Sequence, residues 1–318
     1  MNTTVKKRKS SAPSTKANKT GRRRVRETEA GRVHDAQWPL PMGPSFTVAR
    51  TQLIREMVRS VRRSGVVVLC APSGFGKTAL LLQFADEVRR DPGRGTARVV
   101  DAREAMLDEL IVQLDAIERE CAQVPHPVIA IDDLPAFEGD AAKEFVVHVR
   151  GMREQGVEFA IACTPLAGET VRLLSDSAKL TAKQLTVRPR EFAEWSRVLA
   201  ISSKLDVYKL TQGVPALVAA LQATVDTMGE ERQPLATATC NLYSSVLDEL
   251  ERADDAIRIL AETLLLVGSG FLRDFAAAGT PVDMSCLQRL VHDYPVFGYD
   301  AATNSFACMG ADEAFCSQ

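Results

Sequence analysis

The run Gly65-Val66-Val67-Val68-Leu69-Cys70-Ala71-Pro72-Ser73-Gly74-Phe75-Gly76-Lys77-Thr78-Ala79-Leu80-Leu81-Leu82 passes from β-branched apolar residues, through small ones, to good helix formers. It reads as a buried strand, a loop from Ala71 to Lys77 and a helix from Thr78 onward. This succession predicts a phosphate-binding loop. Gly74 and Gly76 allow backbone conformations that aim several N–H groups inward, and the helix N-terminus adds its dipole, so loop and helix together hold a polyphosphate. The residues expected around that anion are Ser73, Gly74, Phe75, Gly76, Lys77, Thr78 and Ala79. Lys77 would reach the β- and γ-phosphate oxygens, and the Thr78 hydroxyl would complete the coordination of Mg²⁺. The pattern G-x-x-x-x-G-K-[ST] asks for glycine where this chain carries Ala71, the smallest alternative.

Working outward, residues 97–101 form a second expected strand, and the stretch Pro127-Val128-Ile129-Ala130-Ile131-Asp132-Asp133-Leu134 a third. An apolar strand that ends in carboxylates, 55 residues after Lys77 and separated from it by a helix-strand-helix stretch, has the form of a Walker B element. Asp132 is the expected Mg²⁺ ligand, acting through water. Asp133 is the candidate catalytic base that polarises the attacking water, with Lys77 as its catalytic partner on the phosphates. Helices are expected at 48–61, 76–89, 102–121 and 140–154, and further strands at 157–163 and 180–187. Leu53, Met57 and Val61 give the first of these helices one apolar face. Strands alternating with helices predict an α/β nucleotide-binding domain over residues 46–190, its mostly parallel sheet covered on both faces.

The C-terminal part reads differently. Helices are expected at 190–199, 203–211 and 216–227, with Gly213-Val214-Pro215 breaking the chain between the last two, and one or two more at 241–267. A helix at 286–292 and a β-hairpin over 296–308 suggest a winged helix. The expected division is a basic arm (1–45), the P-loop domain (46–190), a small helical domain (191–230) and a winged-helix domain (231–318).

The chain has 318 residues, 46% of them hydrophobic, enough for about two domains with a sizeable core. No apolar run approaches the ~20 residues that cross a bilayer, so no membrane partner is expected. Seven scattered cysteines, with no C-x-x-C pair, support neither a disulfide framework nor a zinc site, and point to a reducing, cytoplasmic setting. The net charge of −2 conceals an asymmetry: residues 1–26 hold ten basic side chains and no acidic one, against 29 basic and 41 acidic in the remainder. That arm is too polar to fold alone and suits non-specific contact with nucleic-acid phosphates, or simply solvent.

Val48-Ala49-Arg50, the 71–81 loop, Ile131-Asp132-Asp133-Leu134 and Thr211-Gln212-Gly213-Val214-Pro215-Ala216-Leu217 occur in this order. The set resembles the ATPase core of the bacterial STAND-class regulators, in particular the large LuxR-type activators related to the maltose-regulon activator, over residues 46–310. It lacks their C-terminal sensor and helix-turn-helix. The resemblance implies a regulatory switch that holds ATP or ADP with Mg²⁺ between the nucleotide-binding, helical and winged-helix parts, with slow or no hydrolysis and with self-oligomerisation or a partner regulator chain. It also implies that Arg50 lies near the adenine and that Pro215 approaches the base or ribose. Two positions depart from the family: Cys163 stands where a phosphate-sensing arginine is usual, and Pro135 follows the Asp-Asp-Leu. A different expectation is a DNA-associated AAA-like ATPase that uses the basic arm and winged helix.

Overall fold

The computed structural model describes residues 50–91, 93, 96–191, 211–219, 233–252, 255–277 and 282–308. The basic arm, the helices expected at 190–199 and 203–211, and the part of the 216–227 helix after 219 lie essentially outside the described residues. The first part runs α1 (Thr51–Ser64), β1 (Val66–Cys70), α2 (Lys77–Arg90), β2 (Ala97–Asp101), α3 (Leu107–Glu120), β3 (Val128–Leu134), α4 (Gly139–Glu154), β4 (Glu158–Cys163), α5 (Gly168–Leu173), β5 (Ala178–Thr181) and α6 (Ala182–Leu185). The five strands form one parallel sheet in the order β2-β3-β4-β1-β5.

Both faces of this sheet are covered, as the unbroken apolar strands require. Val67 and Leu69 of β1 pack with Leu53, Met57 and Val61 of α1 and with Leu80, Leu81 and Phe84 of α2. Val66 and Val68 point the other way, into a second cluster with Leu110 and Leu114 of α3 and Phe145 and Val149 of α4. The chain enters β1 through Gly65, whose left-handed φ of 71° ends α1 and whose N–H donates to Val61 O at 2.7 Å.

Two expectations shift. The fifth strand ends at Thr181 and the chain turns helical at once. Thr181 and Gln184 form a capping box, with Thr181 N donating to Gln184 Oε1 at 2.8 Å, and this local bonding outweighs strand propensity over 182–185. The helix expected from 102 begins at Leu107, because a turn closed by Ala105 N and Ala102 O precedes it. The 241–267 stretch divides into α7 (Gln233–Leu250) and α8 (Asp255–Val267).

From α8 the chain continues through β6 (Ser269–Phe271), α9 (Leu272–Ala277), α10 (Met284–Asp293), β7 (Phe297–Asp300) and β8 (Ser305–Cys308). The hairpin appears as expected. β6, too short to give a periodic signal, adds to it antiparallel, giving a small C-terminal sheet in the order β6-β8-β7. Tyr243, Val246 and Leu250 of α7 belong to the same core cluster as Phe297, Phe306 and the α1/α2 face of the sheet, so the C-terminal part shares a core with the P-loop part.

Gly213 fixes the joint between them. Its φ is +79°, its O accepts from Val187 N at 2.8 Å, and a Cβ there would overlap the Val187 carbonyl oxygen. Gly213→Ala is therefore expected to destabilise the fold by about 2 kcal/mol or more. Urea unfolding would read this as a lower midpoint.

Candidate functional site

Parallel pairing carries the loop and the acidic strand to one edge. β4 lies between β1 and β3, with Cys70 opposite Cys163 and Leu134 opposite Cys163, so the loop after β1 and the carboxylates ending β3 leave the sheet together. This is the C-terminal edge of an open α/β sheet, where ligands bind.

The loop has the geometry its sequence predicts. Gly74 and Gly76 take φ of 83° and 72°, conformations that L side chains adopt rarely, and Gly76 caps the N-terminus of α2. Phe75 is fully buried and anchors the loop to the core. Lys77 is 6% exposed, and its ammonium donates to Ala71 O at 2.8 Å and Pro72 O at 3.0 Å, which keeps a buried cation at the centre of the loop. Ala79 follows on the first turn of α2, partly exposed.

Asp132 is buried at 6% exposure and takes a hydrogen bond from Thr78. Its Oδ1 has no partner among the described residues. Burial first, then the charge of Asp133, push its carboxyl up to about 6, against the pull of Thr78 and Lys77. A buried carboxylate with an orphaned oxygen, beside a helix-terminal threonine hydroxyl, is the donor set that a hard divalent cation such as Mg²⁺ satisfies. The residues expected to hold the metal, Thr78 and Asp132, are thus adjacent.

Asp133 departs from the simplest picture of a base. Its backbone is left-handed (φ 51°), the β3/β4 register shifts at this point, and both carboxylate bonds go to Arg103, from Nε at 3.0 Å and Nη2 at 2.8 Å. Arg103 follows β2 and gave no signal in the sequence.

Arg50 is not brought to the loop. Its guanidinium donates to Leu185 O, to Thr186 O at 3.0 Å and to Glu191 at 3.0 Å, tying the start of α1 to the chain after β5. It lines a cleft of about 570 Å³ with Leu53, Gln184 and Arg188, and no residue of 71–79 shares that lining. Pro215, by contrast, does reach the loop. A Cβ on Gly76 would meet Pro215 at 3.5 Å, and Ala216 N donates to Gly74 O at 3.0 Å. Position 163 carries a buried thiol that donates to the Cys70 sulfur. That bond, with burial, holds Cys163 well above the ordinary thiol range, and the same bond lowers Cys70 against the opposing effect of its burial.

One loop partner was not anticipated. Glu249, on the last turn of α7, accepts from Ser73 N at 2.9 Å and from Ser73 Oγ at 2.8 Å. A signal did exist: Glu249 lies seven residues after Leu242 and three after Val246, an acidic residue within the apolar stripe of a helix.

No family model and no curated protein matches the chain. Solved structures do. A Walker-type ATPase of Pyrococcus abyssi superposes with a TM-score of 0.50 at 13% identity, over 84% of this chain and 95% of the other. Thermotoga maritima RuvB gives 0.42 at 14% identity, over 85% and 95%. Domain III of the T. maritima replication initiation protein DnaA gives 0.40 at 14%, over 63% and 94%. Sheet order, loop and acidic strand together define the chain as having the fold of the AAA-like P-loop ATPases. No described helix is long and apolar enough to cross a membrane.

Because Asp132 binds its proton more tightly folded than unfolded, its ionisation weakens the fold as pH rises from about 4 to above 6. Asp132→Asn in EDTA should therefore melt above the wild type at pH 7.5. The gain should reach about 2–3 kcal/mol at most and vanish below pH ~4. Melting curves across pH would show the two proteins converging in acid.

Proposed function

We propose that the chain is an Mg²⁺-ATP/ADP-binding regulatory switch module of the STAND type, slow or inactive in hydrolysis. The observation that carries this reading is the closed contact between the loop and the C-terminal part: Ala216 N bonds Gly74 O, Pro215 stands against Gly76, and Leu242 of α7 packs so close to Gly74 that a Cβ there would lie 2.7 Å from its Cδ1. A nucleotide on such a loop touches both parts of the chain at once. Its phosphate state then biases how they pack, which is what a switch requires.

In this reading the amides of 73–78 and Lys77 bind the phosphates, and Thr78 with Asp132 holds Mg²⁺. Ala79 and Pro215 border the nucleoside side. Arg50 supports that side from a distance by fixing the 185–191 chain. Bound there, Mg²⁺ would supply charge neutralisation to the phosphates. Slow turnover follows from two features. Asp133 is held by Arg103 rather than free to orient water, and position 163 offers no cation to the γ-phosphate. A link to bacterial transcription regulation, assembly with further copies or a partner regulator, and the domain division of the sequence reading belong to this proposal. The basic composition of residues 1–26 supports a second reading, a DNA-associated ATPase. Salt-dependent DNA binding that ATP strengthens, and that is lost when residues 1–35 are deleted, would favour it.

Nucleotide released by denaturing the purified protein should be near-stoichiometric, and Lys77→Ala should reduce it at least about tenfold, the loss of a charge-assisted phosphate contact. A wild type that carries no nucleotide and binds none in Mg²⁺ buffer would refute the switch. Arg103→Ala should release Asp133 and raise the ATP turnover rate several-fold, measured as phosphate release.

A further inference from the structure

Glu249 is a poor fit to its own helix. It sits on the last turn of α7, where the dipole disfavours an anion, and it is only 8% exposed. Its neighbours on the helix, Val246 and Leu250, are core residues. Oε2 has no partner among the described residues. Burial raises its carboxyl above the ordinary range, although the Ser73 hydrogen bonds and Lys77 oppose this. A leucine would satisfy the packing at lower cost. What the carboxylate does have is Ser73, through both the amide and the hydroxyl, at 2.9 and 2.8 Å. An oxygen anion from the C-terminal part therefore rests on a donor pair of the phosphate loop.

Its contacts locate it along that loop. Ser73 follows directly on Ala71 and Pro72, whose carbonyls hold the Lys77 ammonium at 2.8 and 3.0 Å. In that reading Lys77 would reach the β- and γ-phosphates of a bound nucleotide, and Thr78 with Asp132 would hold the metal that offsets their charge. A group on Ser73, beside the residues that hold the Lys77 ammonium, is thus at the γ end. The α2 end, at Gly76, is bordered by Pro215 instead. Two anions cannot share one donor pair without a large repulsion in a buried site.

Resting on the nucleotide-binding reading above, we propose that Glu249 is the specificity-determining residue that discriminates diphosphate from triphosphate. Its carboxylate holds the γ-phosphate position on Ser73, so a nucleoside diphosphate binds with the Glu249–Ser73 contact intact and a triphosphate binds only by ejecting it. Ejection has a structural consequence. Leu242, two turns earlier on α7, packs on Gly74, and α7 shares its core with α8, α10 and the β6-β8-β7 sheet. Displacing the carboxylate pushes α7 from the loop and carries the C-terminal part with it. The γ-phosphate would be read through a residue whose sequence distance from Ser73 is 176.

The test is the ratio of ATP to ADP dissociation constants in Mg²⁺, from competition against a fluorescent ADP analogue, for the full chain and for Glu249→Gln and Ser73→Ala. Glu249→Gln keeps the shape and one acceptor, and thermal melting of each variant establishes that it is folded. The wild type should prefer ADP. Glu249→Gln should lower the ATP-to-ADP ratio by about tenfold or more, the effect of removing a like charge from a buried site. Ser73→Ala, which frees one of the two carboxylate bonds, should lower it by a smaller factor. Equal changes in ATP and ADP affinity, or an unchanged ratio in a folded Glu249→Gln, would overturn the inference while leaving nucleotide binding intact. No binding of either nucleotide by any of the three proteins would refute the nucleotide-binding reading, and this inference with it.

Discussion

The structure depends on one constraint: β4 must pair in parallel with β1 on one side and β3 on the other. Parallel pairing gives three strands a common C-terminal edge, so the loop that follows β1 and the carboxylates that end β3 meet above β4 although 55 residues separate Lys77 from Asp132. A sheet covered on both faces can be built from apolar strands alone. The polar chemistry is therefore displaced to the edge, where backbone N–H groups at the start of α2 are left without helix partners and the dipole favours an anion.

That edge concentrates charge that the fold would not choose for stability. Lys77, Asp132 and Glu249 are each nine-tenths buried or more, and Asp132 and Glu249 each leave an oxygen with no partner among the described residues. Such groups weaken a protein unless something compensates them. Here part of the compensation is internal. Lys77 donates to the carbonyls of Ala71 and Pro72, Thr78 to Asp132, and Ser73 to Glu249. The proposed polyphosphate and divalent cation would supply the remainder, their charges complementing the lysine and the aspartate and competing with the glutamate. Stability and ligand response are thus carried by the same few side chains.

The two clusters of apolar residues set how far such a response can travel. The β1 face that packs on α1 and α2 is continuous with Tyr243, Val246 and Leu250 of α7 and with Phe297 and Phe306 of the C-terminal sheet. The opposite face, with Phe145, Phe159 and Leu110, belongs to the sheet and to α3 and α4. The loop face and the C-terminal part thus share packed side chains, whereas the α3/α4 cluster includes no residue of the C-terminal part among the described residues.

The sequence by itself determined the local elements. The strand, loop and helix around Lys77, the acidic strand at Asp132, the α1 face of Leu53, Met57 and Val61, and the terminal hairpin were all legible, because each is fixed by residues close in the chain. Periodicity and glycine placement specify such elements directly. It misjudged the end of β5, where a capping box outweighed strand propensity, and it missed β6, whose three residues pair only with a distant strand. Tertiary structure alone decided which charges meet. Arg103 takes Asp133, Arg50 takes the 185–191 chain instead of the loop, and Glu249 takes Ser73. Those contacts join residues 30, 141 and 176 positions apart, and no periodic pattern encodes them. They follow from how helices dock on a common core, so the loop could be read from the chain, while the partners of Asp133 and Ser73 were decided only in the folded molecule.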